Sequence, residues 1–320
     1  MKSQEKVTAF RNGEIKRNRG KGNMGMDACT LCPRMCGVNR AAGEKGYCGM
    51  DATIRAARAA LHMWEEPCIS GTRGSGAVFF SGCSLRCIFC QNFEIADGNC
   101  AKEISGERLS EIFLELQEQG AANINLVTAA HYVPAVIESL KKAKAQGMDL
   151  PVIYNSSGYE RVETVQMLEE IVDVWLPDFK YMDSKLAFAT SRAKDYPEVA
   201  RAAIREMMKA AGTCAYDEDG YIQKGVIVRH LILPGHTKNS IAVLDELYGT
   251  YGDDLTISLM NQYTPLPQVR NIPDLNRRVT KREYEKVLDH ALDLGITQGF
   301  FQEGGTAKES FIPLFDYEGL

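Results

Sequence analysis

The chain has 320 residues, 37 Lys and Arg against 42 Asp and Glu, and a net charge of −5, with 45% apolar and 25% charged residues. This is a globular composition at a length that can bury a core without disulfide staples, so a small cross-linked scaffold is excluded. No apolar run approaches the roughly 18 residues needed to span a bilayer, and no signal-like apolar stretch opens the chain, so a cytoplasmic protein without a membrane partner is expected.

In chain order, residues 1–26 carry seven basic side chains against two acidic ones, which leaves −10 on the remainder. Segment 1–27 reads as a solvated basic leader, and the acidic body argues against nucleic acid as a partner. Residues 28–50 hold Cys29, Cys32, Cys36 and Cys48 among turn-forming Pro and Gly. Four thiols at such spacing close a site for either zinc or a second [4Fe–4S] cluster. Zinc would make it a structural clip; a cluster would deliver electrons or touch a substrate protein. Residues 51–75 read as a linker, and His62, Trp64, Glu65 and Glu66 in it read as ordinary linker residues or as lining a passage between the two cysteine sets.

From residue 76 to 303, apolar β-branched runs alternate with amphipathic stretches. The runs at 76–82, 123–128, 151–155, 173–179, 225–233, 255–261 and 299–303 read as strands. The stretches around 108–120, 134–147, 161–171, 195–212, 239–249 and 280–294 read as helices. Such an alternation predicts an α/β fold, a partial (β/α)6-type barrel of parallel strands with a small N-terminal cysteine-rich extension. A doubly wound open sheet is the alternative. Residues 304–320 form a C-terminal extension. Polar residues gather where the strands end, on what becomes one rim: Cys83, Thr128, His131, Asn155, Ser156, Asp178, Lys180, Asn261 and Gln262.

The most informative segment is FFSGCSLRCIFCQN at 79–92, which sets Cys83, Cys87 and Cys90 at C-x3-C-x2-C spacing directly after a buried strand. Three thiolates in one short loop can hold three irons of a [4Fe–4S] cluster and leave the fourth open to a substrate or cofactor. No histidine lies nearby to complete a zinc tetrahedron.

This motif, with Phe89 before its last cysteine, resembles the signature of the radical S-adenosylmethionine superfamily. The segments CTLCPRMCGVNR, WEEPCISGTRGSG, YNSSGYE, LPDFKYMD, VRHLILPG and SLMNQYTP narrow the resemblance to relatives of pyruvate formate-lyase activating enzymes that carry an N-terminal four-cysteine region. The resemblance implies that S-adenosylmethionine chelates the open iron through its amino and carboxylate groups. One electron from the cluster then cleaves it to methionine and a 5′-deoxyadenosyl radical, which abstracts a hydrogen atom from the substrate. It further implies an activase whose substrate is a glycine of a partner glycyl radical enzyme, with flavodoxin or ferredoxin as electron donor. The alternatives are another protein, a peptide or a small molecule as substrate, or a non-catalytic iron–sulfur or zinc scaffold.

Carried over by position, the resemblance makes Cys83, Cys87 and Cys90 the cluster ligands and sets Phe89 near the adenine. Asp178 helps hold a monovalent cation and Lys180 pairs with the cofactor carboxylate. Asn155 and Ser156 line the ribose or cation side, and Arg229 is a second carboxylate or substrate contact. Two positions depart from the family pattern. Thr128-Ala129-Ala130-His131 stands where most members have Gly-Gly-Glu, leaving Thr128 to offer a hydroxyl and main-chain carbonyls. Gln262 stands where the activating enzyme has a histidine; it can hydrogen-bond but not titrate. His131 reads as a proton donor, a substrate contact or a helix-cap residue. Cys68, Cys100 and Cys214 read as packing thiols, GTRGSG at 71–76 as a flexible entry loop, and the pair Gln302-Glu303 as a strand end near the rim.

Overall fold

The apolar runs and amphipathic stretches fold into the elements their periods predict, in a computed structural model that describes residues 26–302 and 313–320. The leader at 1–25 and the stretch 303–312, which includes Glu303, lie outside the described residues. The strands are β1 (Arg55–His62), β2 (Ser75–Phe80), β3 (Lys102–Glu103), β4 (Ile124–Val127), β5 (Val152–Ser156), β6 (Val174–Pro177), β7 (Ala215–Tyr216), β8 (Ile222–Leu231), β9 (Thr256–Met260) and β10 (Gly299–Phe301). The helices are α1 (Pro67–Ser70), α2 (Phe93–Ala96), α3 (Gly106–Glu118), α4 (Val133–Ala145), α5 (Val162–Leu168), α6 (Ser184–Ser191), α7 (Tyr196–Ala211), α8 (Thr237–Tyr251) and α9 (Lys281–Asp293).

Side-chain caps start several helices. The Ser105 hydroxyl accepts from Arg108 N at the head of α3, Asp183 accepts from Lys185 N and Leu186 N at α6, and Thr280 and Glu283 form a reciprocal capping box at α9.

One sheet runs β10-β9-β8-β6-β5-β4-β2-β1-β3, with β7 paired to β8. Along the path from β2 to β10 every pairing is parallel, β7 is antiparallel to β8, and β1 is antiparallel to both β2 and β3. The parallel strands follow chain order with no reversal. That removes the doubly wound alternative, which needs a switch point, and leaves an open barrel-like sheet. Among the described residues no helix is long and apolar enough to cross a membrane.

The stretch 51–75 is more than a linker, because it supplies β1 and α1. RAARAALH at β1 carries Ala and Arg rather than β-branched residues, so propensity hides it; main-chain pairing to β2 makes it a strand. GTRGSG is likewise no free loop, since β2 begins at its Ser75. The C-terminal residues lie along β1. Ala59 N donates to Glu318 O, Tyr317 N to Ala57 O, and Arg58 pairs with Asp316.

Strand alternation separates the two sheet faces. Tyr154, Trp175, Val226 and Val228 pack with the helices in the main core. On the opposite face Ile153, Val174, Leu176 and Ile227 pack with Cys68 and Ile69 of α1. Two residues further along the same faces come Asn155, Asp178 and Arg229. The apolar floor thus gives way to polar groups at the strand ends.

Candidate active site

The loop after β2 carries the three cysteines. Gly82 at its start has φ +89°, and a Cβ there would lie 2.4 Å from Met50 Cγ and 2.9 Å from the Cys48 carbonyl oxygen, so the close approach needs glycine. Cys83 Sγ accepts from Leu85 N and Arg86 N at 3.4 and 3.5 Å. The Ser191 hydroxyl donates to Cys87 Sγ at 3.1 Å, with Tyr181 Oη 2.7 Å behind it. Burial, and then the neighbouring loop thiols, push the Cys83 and Cys90 thiols above the ordinary range. Three half-buried thiols lining one cleft fit an iron–sulfur cluster, whose binding would supply the charge that makes thiolates stable there. Among the described residues no group of three or more His, Cys, Asp or Glu side chains is drawn in around a single-ion position.

A cleft of about 220 Å³ opens on this loop. Cys83, Cys87, Phe89, Cys90, Thr128, Asn155, Ser156, Asp178, Lys180, Arg229 and Gln262 all line it, so the structure brings these loop and rim candidates together but leaves His131 and Asn261 out of the lining. Phe89 packs edge-on against Tyr181 and tilted against Tyr263. Thr128 has φ +63°, a region glycine enters freely and a β-branched residue resists, and its N–H donates to Asn155 O at 2.9 Å.

Asp178 pairs with Lys180 Nζ and accepts from Arg229 Nε at 3.2 Å. Burial pushes the Asp178 carboxyl up, but Lys180 and Arg229 outweigh it and hold the group below its ordinary range. Arg229 lines the cleft and is already held by protein partners there. Its Nη1 donates to Glu65 Oε2 at 3.0 Å and its Nη2 to Asn155 Oδ1 at 2.6 Å, so protein partners already engage each of its three nitrogens. Glu65 Oε1 also accepts from Asn125 and Asn155.

Glu65, Trp64 and His62, read from sequence as linker residues or as lining a passage between the cysteine sets, all line the cleft. The sequence signals were their position between the two cysteine sets and, for Trp64 and Glu65, the WEEPCISGTRGSG segment; no periodicity marks them. Burial, and then Arg58 and Arg229, lower the His62 pKa to about 4. His131 is absent from the cleft lining: it is 1% exposed, with Nε2 donating to Ser81 O at 2.8 Å, and it packs against Tyr132. Its place is a buried turn before α4 rather than the rim. Gln302 accepts from Asn261 N through Oε1 and borders a neighbouring cavity.

The four-cysteine region packs directly on this loop. Cys29, Cys32 and Cys48 are buried and Cys36 is exposed. A Cβ on Gly46 would meet Cys36 Sγ at 3.0 Å and Cys48 Sγ at 3.7 Å, so these two thiols flank the same point. Burial pushes Cys32 up to about 12. Two arginines hold the region in place. Arg34 donates to the carbonyls of Ser84, Ser191 and Arg192 and stacks over Tyr47 and Tyr159. Arg40, fully buried, donates to the carbonyls of Asp51 and His131. Cys68 packs in the apolar floor beside Cys214, and Cys100 Sγ donates to Phe315 O, in line with packing roles.

The sequence pattern of the Radical SAM superfamily matches residues 77–247. An uncharacterized protein of Methanocaldococcus jannaschii, MJ0674, is 28% identical over 270 residues, covering 82% of this chain and 74% of that one. Among solved structures, HydG, a maturase of the [FeFe]-hydrogenase, aligns with TM-score 0.50 at 14% identity over 72% of this chain and 52% of its own. A domain of pyruvate-formate lyase-activating enzyme from Bacteroides vulgatus aligns with TM-score 0.38 at 16% identity, over 54% of this chain and 92% of that domain. The HydG likeness bears on the fold alone. This chain spans about half the length of HydG, as it does of other solved chains it matches.

Proposed function

This chain belongs to the radical S-adenosylmethionine superfamily, and from that premise we propose that it is an activase that abstracts a hydrogen atom from a glycine of a partner glycyl radical enzyme. When bound, a [4Fe–4S] cluster and S-adenosylmethionine supply one-electron cleavage of the sulfonium and, with it, hydrogen-atom abstraction. Cys83, Cys87 and Cys90 hold the cluster. Lys180 presents an ammonium to the cofactor carboxylate, while Asp178, itself held ionised, orients that ammonium and is placed to share a monovalent cation. Phe89 offers an apolar wall to the adenine, and Asn155, Ser156, Thr128 and Gln262 offer polar contacts along the cleft. The apolar side chains Phe79, Leu85, Val127 and Leu231 keep water from the reacting centre. Cys29, Cys32, Cys36 and Cys48 hold a second metal centre, zinc or iron–sulfur, fed by a one-electron donor of the flavodoxin or ferredoxin kind if iron–sulfur.

The observation that supports this reading is that one cleft is lined by the three loop cysteines together with the eight residues expected to bind the cofactor. A second reading, a radical enzyme acting on a different protein, peptide or small molecule, is favoured by Thr128 in place of glycine and by the Glu65 carboxylate in the cleft.

The test is anaerobic reconstitution with iron and sulfide, reduction with and without S-adenosylmethionine, and assay of deoxyadenosine. We expect a reduced cluster signal that changes on cofactor addition, deoxyadenosine formed, and both product and cofactor response lost in Cys87→Ser. Deoxyadenosine from Cys87→Ser would sink the ligand assignment. Addition of a glycyl radical enzyme should yield a glycyl radical signal; deoxyadenosine without that radical would favour the second reading.

A further inference from the structure

Beside the cysteine cleft lies a cavity of about 350 Å³ that shares Trp64, Glu65, Arg229, Met260 and Gln262 with it. Its remaining walls include Glu66, Ser258 and the β10 residues Phe300 and Phe301. The charged groups between the two spaces balance: Asp178 and Glu65 face Lys180 and Arg229, two carboxylates for two cations. Glu66 is left over. It is 8% exposed, Ser258 hydrogen-bonds its carboxyl, and its buried Oε2 has no hydrogen-bond partner among the described residues; burial raises its pKa, Arg229 lowers it and Glu65 raises it again, so a second cation brought beside it would favour the ionised carboxylate. An unpaired buried carboxyl oxygen is costly and calls for a ligand that completes it. A carboxyl group beside three aromatic side chains has the composition of an ammonium site, because ring faces and carboxylate both attract a cation.

Resting on the radical-enzyme reading above, we propose that this cavity is the subsite for a primary ammonium group of the substrate. Glu66 receives the ammonium, and Trp64, Phe300 and Phe301 flank its alkyl stem. The methionyl amine of the cofactor is a different group, since the family resemblance sends it to the iron held by the loop cysteines, none of which lines this cavity. The ammonium belongs either to a lysine side chain of a target peptide or to a small alkylamine, and one experiment separates the two.

The chain has two tryptophans, Trp64, 56% exposed at the cavity, and Trp175, fully buried, so tryptophan fluorescence reports on the site. The reconstituted full chain with saturating S-adenosylmethionine is titrated with pentylammonium, with 1-pentanol, and with an N-acetylated glycine–lysine peptide amide and its N-acetylated norleucine counterpart. Saturable binding at least about ten-fold tighter for each ammonium than for its neutral counterpart is expected, with the preference lost in Glu66→Gln. Tighter binding of the peptide than of pentylammonium assigns the group to a peptide substrate, and the reverse to a small amine. Equal binding of ammonium and neutral probes to the wild-type protein overturns the proposal whether or not the variant folds. Deoxyadenosine formation by the wild-type protein without any amine tests the underlying reading separately: its absence would remove that reading and leave the ammonium preference to be judged alone.

Discussion

Glu65 and Arg229 stand 164 residues apart in the chain, yet Arg229 Nη1 donates to Glu65 Oε2 at 3.0 Å. The pair ties the segment before α1 to β8 and, through Asp178, to the end of β6. Both side chains are largely buried, Glu65 at 9% and Arg229 at 15% exposure. Removing one partner leaves an uncompensated buried charge, so Glu65→Ala should destabilise the unreconstituted chain by about 3 kcal/mol. Glu65→Gln, whose amide oxygen still accepts, should cost less. Urea denaturation measures both, and an unchanged midpoint for Glu65→Ala means that Asp178 alone compensates Arg229.

Thr128 stores backbone strain at the end of β4, with φ +63°. Thr128→Gly should relieve it, raising the stability of the unreconstituted chain by up to about 1 kcal/mol after the entropy cost of glycine. Thr128→Ile, which keeps the branch and loses the hydroxyl, should not. A Thr128→Gly protein less stable than wild type would show that the threonine side chain compensates its own conformation.

Gly82→Ala puts a methyl group into Met50 and the Cys48 carbonyl at a φ that disfavours it. The four-cysteine region and the three-cysteine loop then cannot keep their present contact. The expected result is a loss of at least about 2 kcal/mol together with fewer irons bound per chain after reconstitution. Full iron content with a lowered melting temperature would limit the contact to a structural role.

Acid should unfold the chain partly through His230. The side chain is fully buried, with Nδ1 donating to Phe179 O at 2.7 Å, and burial lowers its pKa to about 4, with Lys180 lowering it further and Asp178 opposing. The unfolded chain takes up the proton near pH 6.5 and the folded chain only near 4. Stability is therefore retained above about pH 6.5 and lost as pH falls from there towards 4, by about 3 kcal/mol in all. His230→Asn, whose amide can replace the Nδ1 donor, should flatten the slope of stability against pH in that window by about one proton. An unchanged slope would leave acid unfolding to His62 and His131, whose pKa values are also lowered by burial, to about 4 and about 3.

The parts of this protein legible in sequence are those governed by local periodicity and spacing. Three thiols within eight residues have to share a neighbourhood, so Cys83, Cys87 and Cys90 can be named without a structure. The apolar runs that become β2, β4, β5, β6, β8 and β9 announce themselves because strands buried on both faces are continuously apolar. From strand order it follows that Asn155, Asp178 and Gln262 share a rim. β1 stayed hidden because its alanines and arginines carry no strand preference, and only pairing with β2 makes it extended. His131 looked like a rim residue because a turn after a strand can face either way; its ring instead turned inward to Ser81.

Arg229 looked available because sequence reveals a charge and not its partners, which come from β6, β5 and the segment before α1. Glu65 and Glu66 could be read only as linker or passage residues for the same reason. Spacing along the chain determines which residues are local neighbours. Tertiary packing alone decides which buried carboxylates are neutralised by chain-distant cations and which, like Glu66, are left facing a cavity.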